Sequence, residues 1–281
     1  MNGTARIAVP SKGRLRDEAL KLLATAGYPV SGLRGRGSTT RLKDLELIEM
    51  RPKDAAAALA AEALDGAFIA TDIAMEFALE DLPRQGLGYA RSALVVAARE
   101  DDGPPALADL HGGVVATHMP AVTTAFFADS GIEVRVVAMG GSLEGVCAAG
   151  LADAVVDNTE TGTSLRQNRL RVLETIAECE AEFVHRPGLA VLADLELRLA
   201  AALTARRHRY VMLHVPRASV DAITELFHGL ESPTVLPLAH REGLVAVHFV
   251  VQSGELWEKL AQMRALGATG IVATQPVALL E

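Results

Sequence analysis

The stretch that most constrains the fold of this chain is Leu151–Leu170, LADAVVDNTETGTSLRQNRL, in which a strand, a turn and a helix start follow in quick succession. Ala154, Val155 and Val156 read as a short buried strand that Asp157 ends. Thr161-Gly162-Thr163-Ser164 then leads into Leu165 and a helical pattern. A glycine between hydroxyl residues at a helix start lets successive backbone N–H groups converge on one anion, and the helix dipole adds attraction. Asp157, just past the apolar run, is placed to accept hydrogen bonds from sugar hydroxyls or to hold a metal-bound water. Phosphate and polyol recognition together point to a phosphosugar. An ordinary helix cap after a strand has the same local pattern, so context must separate the two readings.

The chain has 281 residues, 50% hydrophobic and 22% charged, enough for a large core and two or three domains. No run of apolar residues is long enough to span a bilayer, and the MNGTARIAVP start enters a strand pattern without a signal-peptide core. A cytoplasmic location is expected. Cys147 and Cys179 match no metal or redox spacing and read as buried small hydrophobes. A formal net charge of −8 argues against nucleic-acid binding, so an anionic ligand must be held by local features.

Arg6–Val9 reads as a strand, and Pro10-Ser11-Lys12-Gly13-Arg14-Leu15 turns into a helix along Leu15, Ala19, Leu22, Leu23 and Ala26. Lys12 and Arg14 therefore sit at a strand-to-helix turn, where α/β proteins place ligand contacts. Positive charge there opposes the helix dipole, which favours anion binding over a merely solvated helix start. The basic stretch 33–41 is a loop able to close over phosphates. Strands at 45–50, 67–70 and 92–98 alternate with helices, one of which opens at Arg51-Pro52-Lys53-Asp54, and this alternation predicts a doubly wound sheet. After Asp101–Pro105, strands at 114–117, 134–138 and 153–157 repeat the scheme. The turns at Thr117, Gly141 and Thr161 should share one sheet edge, so that two lobes face one another across a cleft. Residues 174–205 read as helix-rich. From Arg209 onward the order βαββαβ describes a ferredoxin-like domain with one sheet face left for regulation or assembly. The expected division is 1–94 with 178–205, then 95–177, then 206–281. His214 and His248 fall within strands of the last domain and read as packed or surface residues rather than a metal pair.

Several segments together resemble the long form of the ATP phosphoribosyltransferase family over essentially the whole chain. They are Lys12-Gly13-Arg14-Leu15, Arg51-Pro52-Lys53-Asp54, Gly141-Ser142-Leu143-Glu144, Leu151–Asp157, Thr161–Leu165 and Leu230-Glu231-Ser232-Pro233-Thr234. The resemblance implies two periplasmic-binding-protein-like lobes with a phosphoribosyl diphosphate (PRPP) site between them. It also implies a C-terminal domain that binds histidine as feedback inhibitor, and dimers that assemble to hexamers. Carried over by position, Glu160, Thr161, Gly162, Thr163 and Ser164 would hold the 5′-phosphate and Asp157 the ribose hydroxyls, with Glu144 near the sugar. Lys12, Gly13 and Arg14 would meet the diphosphate or the ATP phosphates. Arg51, Ala70, Thr71, Asp72, Thr117 and Met119 would border the nucleotide or acceptor. No nucleophile is implied: adenine N1 attacks the anomeric carbon as a Mg²⁺-neutralised diphosphate leaves, and the protein positions and stabilises charge. No metal ligand can be assigned directly.

Two segments depart from the family's usual pattern. Asp65-Gly66-Ala67-Phe68-Ile69-Ala70-Thr71-Asp72 stands where the family reads Asp-Leu-Gly-Ile-Thr-Gly-x-Asp. Ala116-Thr117-His118-Met119-Pro120-Ala121 stands where it reads Ala-Thr-x-Tyr-Pro-Asn. An alanine in place of glycine where backbone meets ligand can exclude that ligand. Three function classes follow: transfer from PRPP to ATP, transfer to another acceptor, and ligand binding without catalysis.

Overall fold

The computed structural model describes residues 4–33, 38–227 and 233–280. Residues 34–37 of the expected basic loop, and Leu230, Glu231 and Ser232 of the Leu230–Thr234 motif, lie outside the described residues. The chain forms two compact units, Met1–Leu23 with Pro29–Glu196, and Ala24–Tyr28 with Leu197–Glu281.

The first unit begins with β1 (Ala5–Pro10), α1 (Gly13–Thr25), β2 (Thr39–Arg41), β3 (Leu45–Met50), α2 (Pro52–Ala60), β4 (Gly66–Ala70), α3 (Thr71–Glu76) and β5 (Arg84–Gly86). A second lobe follows with β6 (Ser92–Arg99), β7 (Val114–Thr117), α4 (Pro120–Asp129), β8 (Arg135–Ala138), α5 (Leu143–Ala148), β9 (Ala154–Thr159), α6 (Thr163–Gln167) and β10 (Leu170–Cys179). The chain then returns through β11 (Ala181–His185). The sheets run β2-β3-β1-β4-β11-β5 and β10-β6-β9-β7-β8. Each pairs parallel around its central strands: β1 lies between β3 and β4, and β7 between β8 and β9. The strands that carry the chain between lobes, β6, β10 and β11, pair antiparallel, which makes both sheets mixed. One apolar cluster runs from Ala8, Ala67 and Ile69 of the first sheet to Leu94, Val115 and Val156 of the second, so the two lobes share a core.

The helix-rich reading of 174–205 holds only from Ala190, where α7 (Ala190–Arg207) begins; Glu174–His185 lies in β10 and β11. The reason is visible in β10, whose register against β6 shifts between Val172 and Glu174 and again between Thr175 and Ala177. Each bulge adds a residue and breaks the alternation by which a strand is recognised.

The second unit carries β12 (His208–Pro216), α8 (Val220–Glu225), β13 (Thr234–Pro237), β14 (Leu244–Gln252), α9 (Ser253–Ala265) and β15 (Thr269–Thr274). Its sheet order is β13-β14-β12-β15, all antiparallel, which is the ferredoxin-like arrangement. Val211, Leu213, Val215, Val245, Val247 and Phe249 alternate onto the face covered by Ile223, Leu256 and Met263. Among the described residues no helix is long and apolar enough to cross a membrane.

Candidate functional site

Asp157 sits on β9 immediately beyond Ala154, Val155 and Val156, which are fully buried in the second sheet. Its carboxylate accepts from the Asn158 backbone N–H at 2.8 Å. Burial raises its pKa above the ordinary carboxylate value, and the neighbouring Glu144 and Asp72 charges add to the rise; the Asn158 N–H and His118 oppose it. Gly162 caps α6 at φ 68°, ψ 7°, a left-handed conformation that glycine adopts without a steric cost. The Gly162 N–H is taken by Thr159 Oγ1 at 2.9 Å, which holds the turn closed from beneath. Thr161 and Thr163 place their hydroxyl oxygens 2.8 Å apart on the exposed side, and the Ser164 hydroxyl donates to Glu144. The structure thus brings Glu144, Asp157 and residues 160–164 together at one end of the second lobe. Because α6 has only five residues, hydroxyls and backbone of the turn outweigh any helix dipole.

Several polar contacts join this lobe to the first. Arg14 Nη1 lies 3.1 Å from Glu160 Oε2, both exposed. Asn158 Nδ2 donates to Asp72 Oδ2 at 2.7 Å. Lys53 Nζ donates to the His118 carbonyl oxygen. The Ala121 and Val122 N–H groups donate to Glu76 Oε2 at 3.0 Å each, so a carboxylate from α3 caps α4 across the cleft. The Glu160 carboxylate is turned to Arg14, which leaves its backbone as the part available to an anion.

The remaining expected contacts divide by orientation. Lys12, Gly13 and Arg14 are exposed at the start of α1, and Arg51 is exposed at the N-cap of α2. Thr71 is committed to the crossover between lobes: its Oγ1 accepts from the Glu180 N–H at 3.1 Å and shares its one proton between the Glu180 carbonyl at 3.2 Å and Glu182 Oε1 at 3.1 Å. Asp72 is buried, and burial lifts its pKa. Thr117 is fully buried; its hydroxyl donates to the Val156 carbonyl at 3.0 Å and accepts from the Met119 N–H at 2.9 Å. Met119 packs in the core, so neither side chain reaches the cleft, and only backbone at this turn can meet a ligand. The altered positions follow suit. Ala67 and Phe68 are buried, with Phe68 5.0 Å from the Phe183 ring, and of the changed residues only Ala70 and Ala121 border open space.

Asn158, Glu76 and the acidic pair Glu180 and Glu182 were not singled out from sequence, and Lys53 entered only as part of the Arg51-Pro52-Lys53-Asp54 segment, with no contact assigned. Glu182 is buried, has its pKa raised by burial, and keeps Oε2 without a hydrogen-bond partner among the described residues. Both cysteines are buried, and burial pushes the Cys179 thiol up to about 11. Two surface cavities lie apart from residues 160–164: one of about 270 Å³ at Arg91, Glu178, Cys179 and Glu180, and one of about 440 Å³ bordered by Arg99, Asn168 and Arg169.

Residues 51–203 match the family described as ATP phosphoribosyltransferase, and residues 205–275 match the one described as HisG, C-terminal domain. The chain is 37% identical over 284 residues to an ATP phosphoribosyltransferase of Gemmatimonas aurantiaca, covering 96% of this chain and 97% of the relative. It is 36% identical over 276 residues to that of Halobacterium salinarum, covering 96% and 98%. Among solved structures, the ATP phosphoribosyl transferase (HisG:HisZ) complex from Thermotoga maritima superposes with a TM-score of 0.59 at 27% identity. The superposition covers 69% of this chain and 98% of that one.

Proposed function

The chain belongs to the ATP phosphoribosyltransferase family, and from that premise we propose that its two-lobed unit transfers the 5-phosphoribosyl group of PRPP to N1 of ATP with release of diphosphate. This is the first step of histidine biosynthesis. The observation that carries the site assignment is the meeting of the Asp157–Ser164 segment with Arg14 across the cleft. In this reading, residues 160–164 hold the 5′-phosphate and Asp157 orients the ribose hydroxyls. Glu144, tied to Ser164, steadies the turn beside the sugar. Lys12, Gly13 and Arg14 face the diphosphate or the ATP phosphates, whose arrival displaces Glu160 from Arg14. Asp72, Thr71 and Arg51 border the acceptor. No side chain acts as nucleophile; rate comes from alignment of N1 with the anomeric carbon and from charge placed where the diphosphate departs.

The family's activity needs a divalent metal, and we assign Mg²⁺. Among the described residues no group of three or more His, Cys, Asp or Glu side chains is arranged to hold a metal. The oxygen donors of Asp157 and Glu144 fit a hard cation carried mainly by substrate phosphates and water. When bound, the ion neutralises charge on the leaving diphosphate. The Ala67, Phe68 and Met119 side chains lie in the core, so among the departures that raised a different acceptor only Ala70 and Ala121 are placed to meet one. Histidine is proposed as inhibitor through the C-terminal domain, the oligomer as a dimer that builds to a hexamer, and the location as cytoplasmic.

The test is incubation with PRPP, ATP and Mg²⁺ while following N1-phosphoribosyl-ATP by absorbance and diphosphate by a coupled assay. Both products should appear in equal amounts. PRPP binding without either product would overturn the assignment.

A further inference from the structure

The Lys12-Gly13-Arg14 turn carries a glycine in the left-handed region, with Gly13 at φ 74° and open space where a side chain would stand. Such a turn has little stiffness of its own. Two anchors bracket it, and both belong to consecutive residues at the end of β3. Ahead of the turn, the N–H of the buried Ser11 donates to the Met50 carbonyl oxygen at 2.9 Å. Behind it, Arg16 Nε donates to Glu49 Oε1 at 2.5 Å, and the Glu49 side chain is 0% exposed. Glu49 and Met50 stand beside Val9 and Pro10 of β1, so the turn is pinned to the strand end from which it departs.

Both members of the ion pair occupy positions that the local pattern reserves for apolar side chains. Glu49 follows Leu45 and Leu47 on the buried face of β3. Arg16 precedes Ala19 and Leu23 on the buried face of α1, while Arg14 points outward to Glu160. Arg16 Nη2 also donates to the Leu33 carbonyl at 3.2 Å, the Glu49 N–H to the Ser38 carbonyl at 2.9 Å, and the Ser38 hydroxyl to Glu49. Stability alone does not account for the pair, since apolar residues of similar volume serve a core equally well or better. We infer that Arg16 and Glu49 are positioning residues: they fix the rotation of the first turn of α1 and thereby aim Lys12 and Arg14 at a polyphosphate substrate. The inference rests on the reading that this turn meets phosphate.

The experiment compares wild-type protein with Arg16→Met/Glu49→Leu, measuring kcat, KM for PRPP and for ATP separately, and thermal unfolding. The double variant should unfold within a few degrees of wild type and keep kcat within about threefold. At least one KM should rise about tenfold, because a misaimed clamp loses contacts made to the substrate phosphates equally in the ground and transition states. The substrate whose KM rises is the one whose phosphates the turn holds. Both KM values within about twofold of wild type, with unchanged unfolding, would overturn the inference. If the double variant does not fold, Glu49→Gln is read by the same criteria, since it keeps the volume and presents an amide to Arg16. If wild-type protein itself turns over no PRPP and ATP, the proposed function fails. The positioning role is then read by calorimetric binding of inorganic diphosphate, which should weaken about tenfold in the variant and would be unchanged if the role is wrong.

Discussion

Asp72 shows most directly how a carboxylate proposed to border the acceptor and the fold pull against one another. Burial raises its pKa, with the Asn158 hydrogen bond only partly offsetting this, so the folded chain holds this proton to a higher pH than the unfolded chain does. Its contribution to stability is full below the unfolded value of about 3.9 and is lost as pH rises through the raised folded value. Asp72→Asn keeps an oxygen to accept from Asn158 and removes the charge. The variant should melt higher than wild type near pH 7, with the advantage gone by about pH 4. Equal melting temperatures at both pH values would refute the argument. Asp157 gives the matching prediction for catalysis. With its pKa raised by burial, kcat/KM should fall as pH drops at a pH above the ordinary aspartate range, and Asp157→Asn should remove that limb along with most of the activity. A pH–rate profile of both proteins checks it. Asp157 and Gly162 were legible because an apolar run and a glycine among hydroxyls are local signals. Thr117 and Met119 were not, because a tight strand-to-helix turn sends both side chains inward, where hydroxyl and thioether serve the turn and the core. Nothing in residues 157–160 alone says that Asn158 meets Asp72, since that contact exists only once two lobes are folded.

Among the elements, the β9–α6 turn depends on a single backbone conformation. A Cβ at Gly162 would lie 2.9 Å from Arg166 Nη1, an atom at the end of a flexible side chain that can move aside. The φ of 68° is the harder constraint. Gly162→Ala should therefore cost about 1–2 kcal/mol of stability and raise KM for PRPP more than it lowers kcat, because the turn would relax away from its anion-holding shape. A variant with wild-type KM for PRPP would remove this turn from the site. Elements with clean periodicity, such as β12 and α9, could be read directly. β10 could not: its two bulges space Leu173, Ile176 and Ala177 like one face of a helix, and Ala177 with the two glutamates Glu174 and Glu178 favours that misreading. The error hid β11 as well, and with it the buried Glu182 that braces Thr71 at the crossover.

On the scale of the whole chain, the ferredoxin-like unit leaves one sheet face uncovered by its own helices. Thr234, His248, Met212 and Val272 stand in register across four strands of that face, with Leu236, Ala246 and His214 in the next row. Leu236 and Val272 are 46% and 48% exposed, although their strand neighbours Val235 and Ile271 pack against the core on the opposite side. Large apolar side chains exposed together on a sheet face, such as Leu236 and Val272, are a common mark of a surface covered by another subunit. If the proposed dimer-to-hexamer assembly uses this face, Leu236→Asp/Val272→Asp should shift sedimentation from the larger species to the dimer without lowering the melting temperature by more than a few degrees. Turnover at saturating PRPP and ATP should persist, since the residues proposed to hold phosphate all belong to the other unit. Inhibition by millimolar histidine should weaken in the same variant if regulation acts through assembly. A variant that remains hexameric and fully inhibited would place both interfaces elsewhere on the C-terminal unit, whereas loss of assembly with inhibition intact would separate the histidine site from the sheet face.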